Sequence, residues 1–136
     1  MTRDDLVLTP QGVRFAGNVF PCSIGKAGIT SNKQEGDGAT PRGIHKIVGM
    51  LYRPDRIKRP NANAIKIGPR DLWSDDAKDK HYNQLVRAAY PYSHEMLRRA
   101  DPLYDLILVT DWNWPNATPG KGSAIFIHQW RRPGYP

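Results

Sequence analysis

The chain has 136 residues, 39% hydrophobic and 24% charged, enough for one soluble domain with a real core. Its twelve Gly and twelve Pro favour strands and loops over a helical bundle. A formal charge of +7 suits acidic partners, yet the basic residues are scattered. The densest stretches, Arg53 to Arg59 and Arg131-Arg132, fall short of a nucleic-acid arm. No apolar run approaches the length of a membrane span. A single cysteine, Cys22, excludes an internal disulfide and a Cys-based metal cluster.

In chain order, Asp5–Thr9 and Val13–Ala16 read as strands joined by a tight turn at Pro10-Gln11-Gly12. Asn18–Ile24 reads as a third strand with Cys22 packed in it, and Pro21 marks an edge or bulge. Gly25 to Gly43 is polar, holds five glycines, and is too long for an idle connection. Ile44–Tyr52 returns to strand character. Pro54–Asp79 reads as irregular, anchored by Trp73. Ser93–Ala100 reads as the one helix, with Ser93 as N-cap, Glu95 in the first turn and Arg98 and Arg99 in the last. Tyr104–Thr110 is a central strand by its continuous apolar run, and Ser123–His128 is a final buried strand after a loop with two Trp. The fold expected is mainly β, a β-rich α+β domain with a mixed sheet or sandwich, one short helix and long loops. No repeat or linker divides residues 1–136.

His128, delivered at a strand end, is the candidate general base, with a core histidine bonded to backbone as the plain alternative. Cys22 is the only thiol that could serve it, but its expected burial argues for a packing role. His45, His81 and His94 show no metal-ligand spacing, and Asp75, Asp76 and Asp79 read as loop residues. Gly36–Gly43 is not a phosphate loop: it lacks the Gly-Lys-Ser/Thr ending, and Pro41 removes an amide donor.

Thr40-Pro-Arg-Gly-Ile-His-Lys-Ile47 resembles the Thr-Pro-x-Gly-x-[Phe/His]-x-[Ile/Leu] signature of the YkuD-type L,D-transpeptidases. Further segments resemble a branch of short bacterial members, in the same order: Cys22–Ile29, Lys33–Pro41, Tyr52–Arg56, Asp75-Asp76 with Tyr82-Asn83, Ser93–Glu95, Tyr104–Leu106 and Gly122–His128. The resemblance implies acyl transfer on peptidoglycan stem peptides through a cysteine thioester, with no cofactor and no metal. It implies His128 as the catalytic base and Thr40, Pro41, Gly43, Trp130 and Arg131 as substrate-binding residues. The family's nucleophile follows the histidine in a Thr-x-Gly-Cys or Ser-x-Gly-Cys segment. Arg131–Pro136 resembles the run-in to that segment, and the segment itself lies outside residues 1–136. The expectation is therefore a domain truncated at its C-terminal end and inactive for want of its thiol. The alternative is a non-catalytic module that binds peptidoglycan or another acidic ligand; a weaker third is a Cys22/His128 hydrolase. The family implies the cell envelope or periplasm; Met1–Leu8 lacks a signal peptide's apolar region, which leaves the cytoplasm open as well. Oligomeric state is left open.

Overall fold

The computed structural model describes residues 1–136 and contains strands, turns and loops but no helix. The N-terminal part is an antiparallel meander of β1 (Val7–Thr9), β2 (Gly12–Phe15) and β3 (Asn18–Phe20). Thr9 Oγ1 donates to Gly12 O at 2.8 Å and so closes the first turn. Ala16 and Gly17 both have positive φ, as a two-residue hairpin loop between right-twisted strands requires. β3 stops at Phe20, before the expected end at Ile24, because Pro21 has no N–H for the ladder. Cys22 therefore lies outside any strand and is exposed, which corrects the expectation of a packed residue.

The glycine-rich segment is closed by a short parallel pair, β4 (Ile29–Thr30) with β5 (Thr40–Pro41). A four-stranded mixed sheet follows, in the order β12-β11-β6-β7, from β6 (Ile47–Tyr52), β7 (Ile65–Lys66), β11 (Leu106–Thr110) and β12 (Phe126–His128). β6 and β7 are parallel; β11 is antiparallel to both of its neighbours. A second, antiparallel sheet has the order β10-β8-β9, from β8 (Asp71–Ser74), β9 (Leu85–Arg87) and β10 (His94–Met96). Leu51, Ile67, Trp73, Leu97, Tyr104, Ile107 and Val109 form the buried core. Trp73 comes from the second sheet and Leu51, Ile107 and Val109 from the first, so this cluster joins the two.

Two readings of the sequence are corrected here. The Pro54–Asp79 stretch holds β7 and β8, and every residue of β8 is buried. Its polar members are satisfied locally: Asp71 Oδ2 accepts from Gly68 N at 2.7 Å, and Ser74 Oγ donates to Asp79 Oδ2 at 2.6 Å. Ser93–Ala100 is not a helix. Its first half pairs with β8 in the register His94↔Ser74, Glu95↔Trp73 and Met96↔Leu72. Carbonyls that follow are taken by arginines: Arg53 donates to Arg99 O at 2.7 Å, and Arg56 to Ala100 O and Asp101 O, both at 2.8 Å. An eight-residue helix is marginal by itself, and here strand pairing and these guanidinium bonds outweigh it. Arg53 is buried and Arg56 is exposed, yet both tie down the same run of carbonyls, so the basic stretch from Arg53 is in part a structural clamp.

Candidate active site

β12 is an edge strand of the mixed sheet, paired to β11 as Phe126↔Val109, Ile127↔Leu108 and His128↔Ile107. Strand alternation places His128 on the same face as Phe126. Both rings meet the Tyr104 ring edge-on, Phe126 at 5.8 Å and His128 at 5.3 Å between centroids. His128 itself is exposed, as is Ile127, so the expected buried strand is an open edge. The imidazole Nδ1 lies 2.8 Å from the carbonyl oxygen of Gln129. A carbonyl can only accept, so Nδ1 carries the hydrogen and the Nε2 lone pair is free, the arrangement a general base needs.

The approach to β12 is fixed by three consecutive residues. Gly122 N donates to the Tyr82 hydroxyl at 3.0 Å, Ser123 Oγ to Glu35 Oε1 at 2.6 Å, and Ala124 N to Asn83 Oδ1 at 2.9 Å. Tyr82 donates in turn to the same Glu35 oxygen at 2.6 Å. Burial, then the Glu35 carboxylate, push the Tyr82 phenol well above its ordinary range, so it remains a donor. Gly122 has a φ of +107°, and a Cβ there would sit 3.0 Å from Lys33 Cε and 3.3 Å from Trp112 Nε1. Only glycine allows the two loops to close this tightly.

Glu35 and Lys33 belong to the glycine-rich segment, which is therefore strapped to the residues just ahead of His128. Glu35 N also donates to Gly120 O at 2.8 Å. Within the segment Lys33 pairs with Asp37 at 2.5 Å, and Asp37 accepts from Gln34 N and Ala39 N. The bond from Lys33, followed by these amides, holds the Asp37 carboxyl down at about 2. Thr40 Oγ1 accepts from Gly25 N at 2.8 Å, Pro41 is buried, and Pro41 O faces His45 Nε2 at 3.1 Å. Gly43 has a φ of +135° and is exposed. Thr40 and Pro41 thus shape the segment from inside. Beyond His128, Trp130 Nε1 donates to Ser23 Oγ at 2.8 Å, while the Arg131 and Arg132 guanidiniums both lie over the Tyr135 ring. Cys22 adjoins Ser23, but the His128 imidazole bonds Gln129 and not the Cys22 sulfur. A cleft of about 320 Å³ opens between the segment and the Trp112 loop, lined by Ser31, Asn32, Lys33, Trp112, Asn113 and Lys121.

Segments far apart in sequence, around Glu35 and Tyr82-Asn83, therefore meet at Gly122–Ala124 on the approach to β12, and Tyr104 meets His128 at the strand's end. The L,D-transpeptidase catalytic domain model, YkuD, matches residues 6–135. The chain belongs to this family. Comparison with curated proteins and with solved structures gives no match. Within this L,D-transpeptidase-family domain, the sequence pattern gave no site role to Glu35, Tyr82, Asn83, Glu95, Tyr104 or Ser123. The available signal was their membership of the ordered family segments; their partnerships, up to 88 positions apart, needed the fold.

Asp75, Asp76 and Asp79 are engaged in local bonds. Asp75 accepts from Ser93 Oγ, Asp76 from Lys78 N, and Asp79 from Ser74, Tyr90 and His81 N. His94 is the exposed first residue of β10, with Nδ1 2.7 Å from Tyr92 O, and caps no helix.

Proposed function

We propose that this domain presents peptidoglycan stem peptides to His128 in the manner of an L,D-transpeptidase. The observation that carries the reading is the Nδ1–H bond of His128 to Gln129 O, which leaves Nε2 unpaired at the end of a strand whose approach is strapped to the glycine segment. In the family's chemistry a thiol gives its proton to such a base. The thiolate then attacks the carbonyl of an L-configured diamino acid, the C–N bond to the terminal D-residue breaks, and the imidazolium returns the proton to the departing amine. An amine of a second stem, or water, resolves the thioester. Here Nε2 would take the proton, and the glycine segment, Trp130 and Arg131 would flank the bound peptide. The net charge of +7 favours an acidic wall polymer and so a place in the cell envelope.

The 136-residue polypeptide on its own is proposed to bind donor peptide without forming an acyl-enzyme, because its one thiol forms no hydrogen bond with the imidazole. A base without its nucleophile forfeits most of the advantage of a cooperative catalytic unit. Intact-mass spectrometry after incubation with a stem tetrapeptide, or with a carbapenem as an acylating probe, tests this. The expected result is an unmodified mass and no released D-alanine. An acyl adduct mapped to Cys22, lost in His128→Ala, would overturn it and make Cys22 the nucleophile.

A further inference from the structure

Tyr104 belongs to the core and meets both Phe126 and His128. It is 6% exposed, and its hydroxyl donates to Glu95 Oε2 at 3.0 Å. Its ring stands at 84° to the His128 imidazole, and the Arg99 guanidinium lies 5.6 Å from its centroid. Glu95 is held on β10 opposite Trp73, and Tyr104 sits just ahead of β11, so two sheets meet behind a histidine that is itself on an open edge. Burial pushes the Glu95 carboxyl up against the opposing pull of the Tyr104 bond, with Asp75 and Glu35 adding to the rise and Arg99 opposing it. Burial and Glu95 likewise raise the Tyr104 phenol, with Asp101 adding to the rise and Arg99 again opposing it. A Phe and an aliphatic residue would fill the same space without this desolvation cost. What they would lack is a fixed ring position.

An imidazole at the end of an edge strand has two free torsions. The bond to Gln129 O ties one ring nitrogen; the rest of the ring needs a second contact to fix it. We propose that Tyr104, locked by Glu95, is the positioning residue for His128: it packs T-shaped against the imidazole, holds the Nδ1–H tautomer and keeps Nε2 turned outward. This rests on the reading of His128 as the base, but its test needs neither stem peptide nor turnover.

The test is long-range proton–nitrogen NMR of the histidine rings in the 136-residue protein, at a pH where His128 is neutral. The wild type is expected to show Nδ1 as the protonated nitrogen of His128. Tyr104→Leu should lower the ratio of Nδ1–H to Nε2–H tautomer by about 2- to 12-fold, the value of one aromatic pair. Tyr104→Phe and Glu95→Leu, which keep the ring but release its lock, should fall between, and Glu95→Gln, which keeps an acceptor, should restore the wild-type ratio. Leu97→Ala, in the same core but away from the imidazole, should lower stability and leave the ratio unchanged. If Tyr104→Leu does not fold, Tyr104→Phe and Glu95→Leu carry the test. A wild-type Nε2–H tautomer, an unmoved ratio in the folded Tyr104 and Glu95→Leu variants, or an equal shift in Leu97→Ala would overturn the proposal.

Discussion

Asn83 is the residue whose loss should damage the site most without touching it. It is 2% exposed and has a φ of 59°. Its Oδ1 accepts from Trp73 Nε1 and from Ala124 N, both at 2.9 Å. Its Nδ2 donates to Trp112 O at 3.1 Å and Asn113 O at 2.7 Å. One side chain thus joins the core indole, the Trp loop and the approach to β12. In Asn83→Ala two buried donors lose their acceptor, at about 1–3 kcal/mol each. The left-handed backbone adds about 1–2 kcal/mol for a residue with a Cβ and no local hydrogen bond. The sum is about 3–8 kcal/mol, a large part of the roughly 5–15 kcal/mol that holds a typical domain. Asn83→Gly loses the same bonds but relieves the backbone, so it should be about 1 kcal/mol less damaging than Ala. Equilibrium urea unfolding followed by tryptophan fluorescence measures both, with Trp73 reporting from the core. A cost below about 1 kcal/mol for Ala, well under one stranded donor, would refute this account of the hub, and equal Ala and Gly values would refute the backbone share.

Gly25→Ala would place a Cβ 2.5 Å from Gly38 O, so the β4–β5 pair should open at a cost of about 1–3 kcal/mol. Hydrogen exchange at Ala27 and Thr40, whose amides bond Gly38 O and Gly28 O, should speed up, and unchanged protection would contradict the prediction. Asp37, Asp55 and Asp101 are each held down at about 2, first by Lys33, Arg53 and Arg99 respectively. Folded-state values below the unfolded value of about 3.9 mean that their stabilisation is present above pH 4 and lost as pH falls towards 2. Thermal melts should therefore show a fall in Tm across that window, reduced in Lys33→Met; a flat profile would count against these pairings. Because Cys22 is exposed, one equivalent of Ellman's reagent should react with the native protein without denaturant. Modification that required unfolding would place the thiol in the interior after all.

The parts legible in the sequence were those where hydrophobic pattern and local chemistry agree. Leu106–Thr110 and Ile47–Tyr52 carry continuous apolar runs and form the paired centre of the mixed sheet. Trp73 anchors the core as its size suggests. The errors fall where partners are distant. Ser93–Ala100 has helix-like end charges, but Arg98 and Arg99 instead meet Asp55 and Asp101. β8 was hidden because Asp71 and Ser74 look like loop residues until Gly68 and Asp79 satisfy them. At the site, His128 was visible from its place after an apolar run. Its support by Tyr104 and Glu95, and the strap through Glu35, depend on contacts that no local pattern announces. Cys22 was misplaced because the apolar Val19-Phe20 run continued the strand in sequence, while Pro21 ended it in space.

The central claim is that the glycine-rich segment and the His128 strand share one peptide-binding face. Backbone amide NMR of the 136-residue protein, titrated with the tetrapeptide L-Ala-γ-D-Glu-meso-diaminopimelate-D-Ala, addresses it directly. The account predicts saturable shifts confined to residues 31–43 and 120–131, with the His128 ring among the most perturbed groups. Shifts confined to the β1–β3 meander, or none at concentrations that saturate other members of the family, would contradict it.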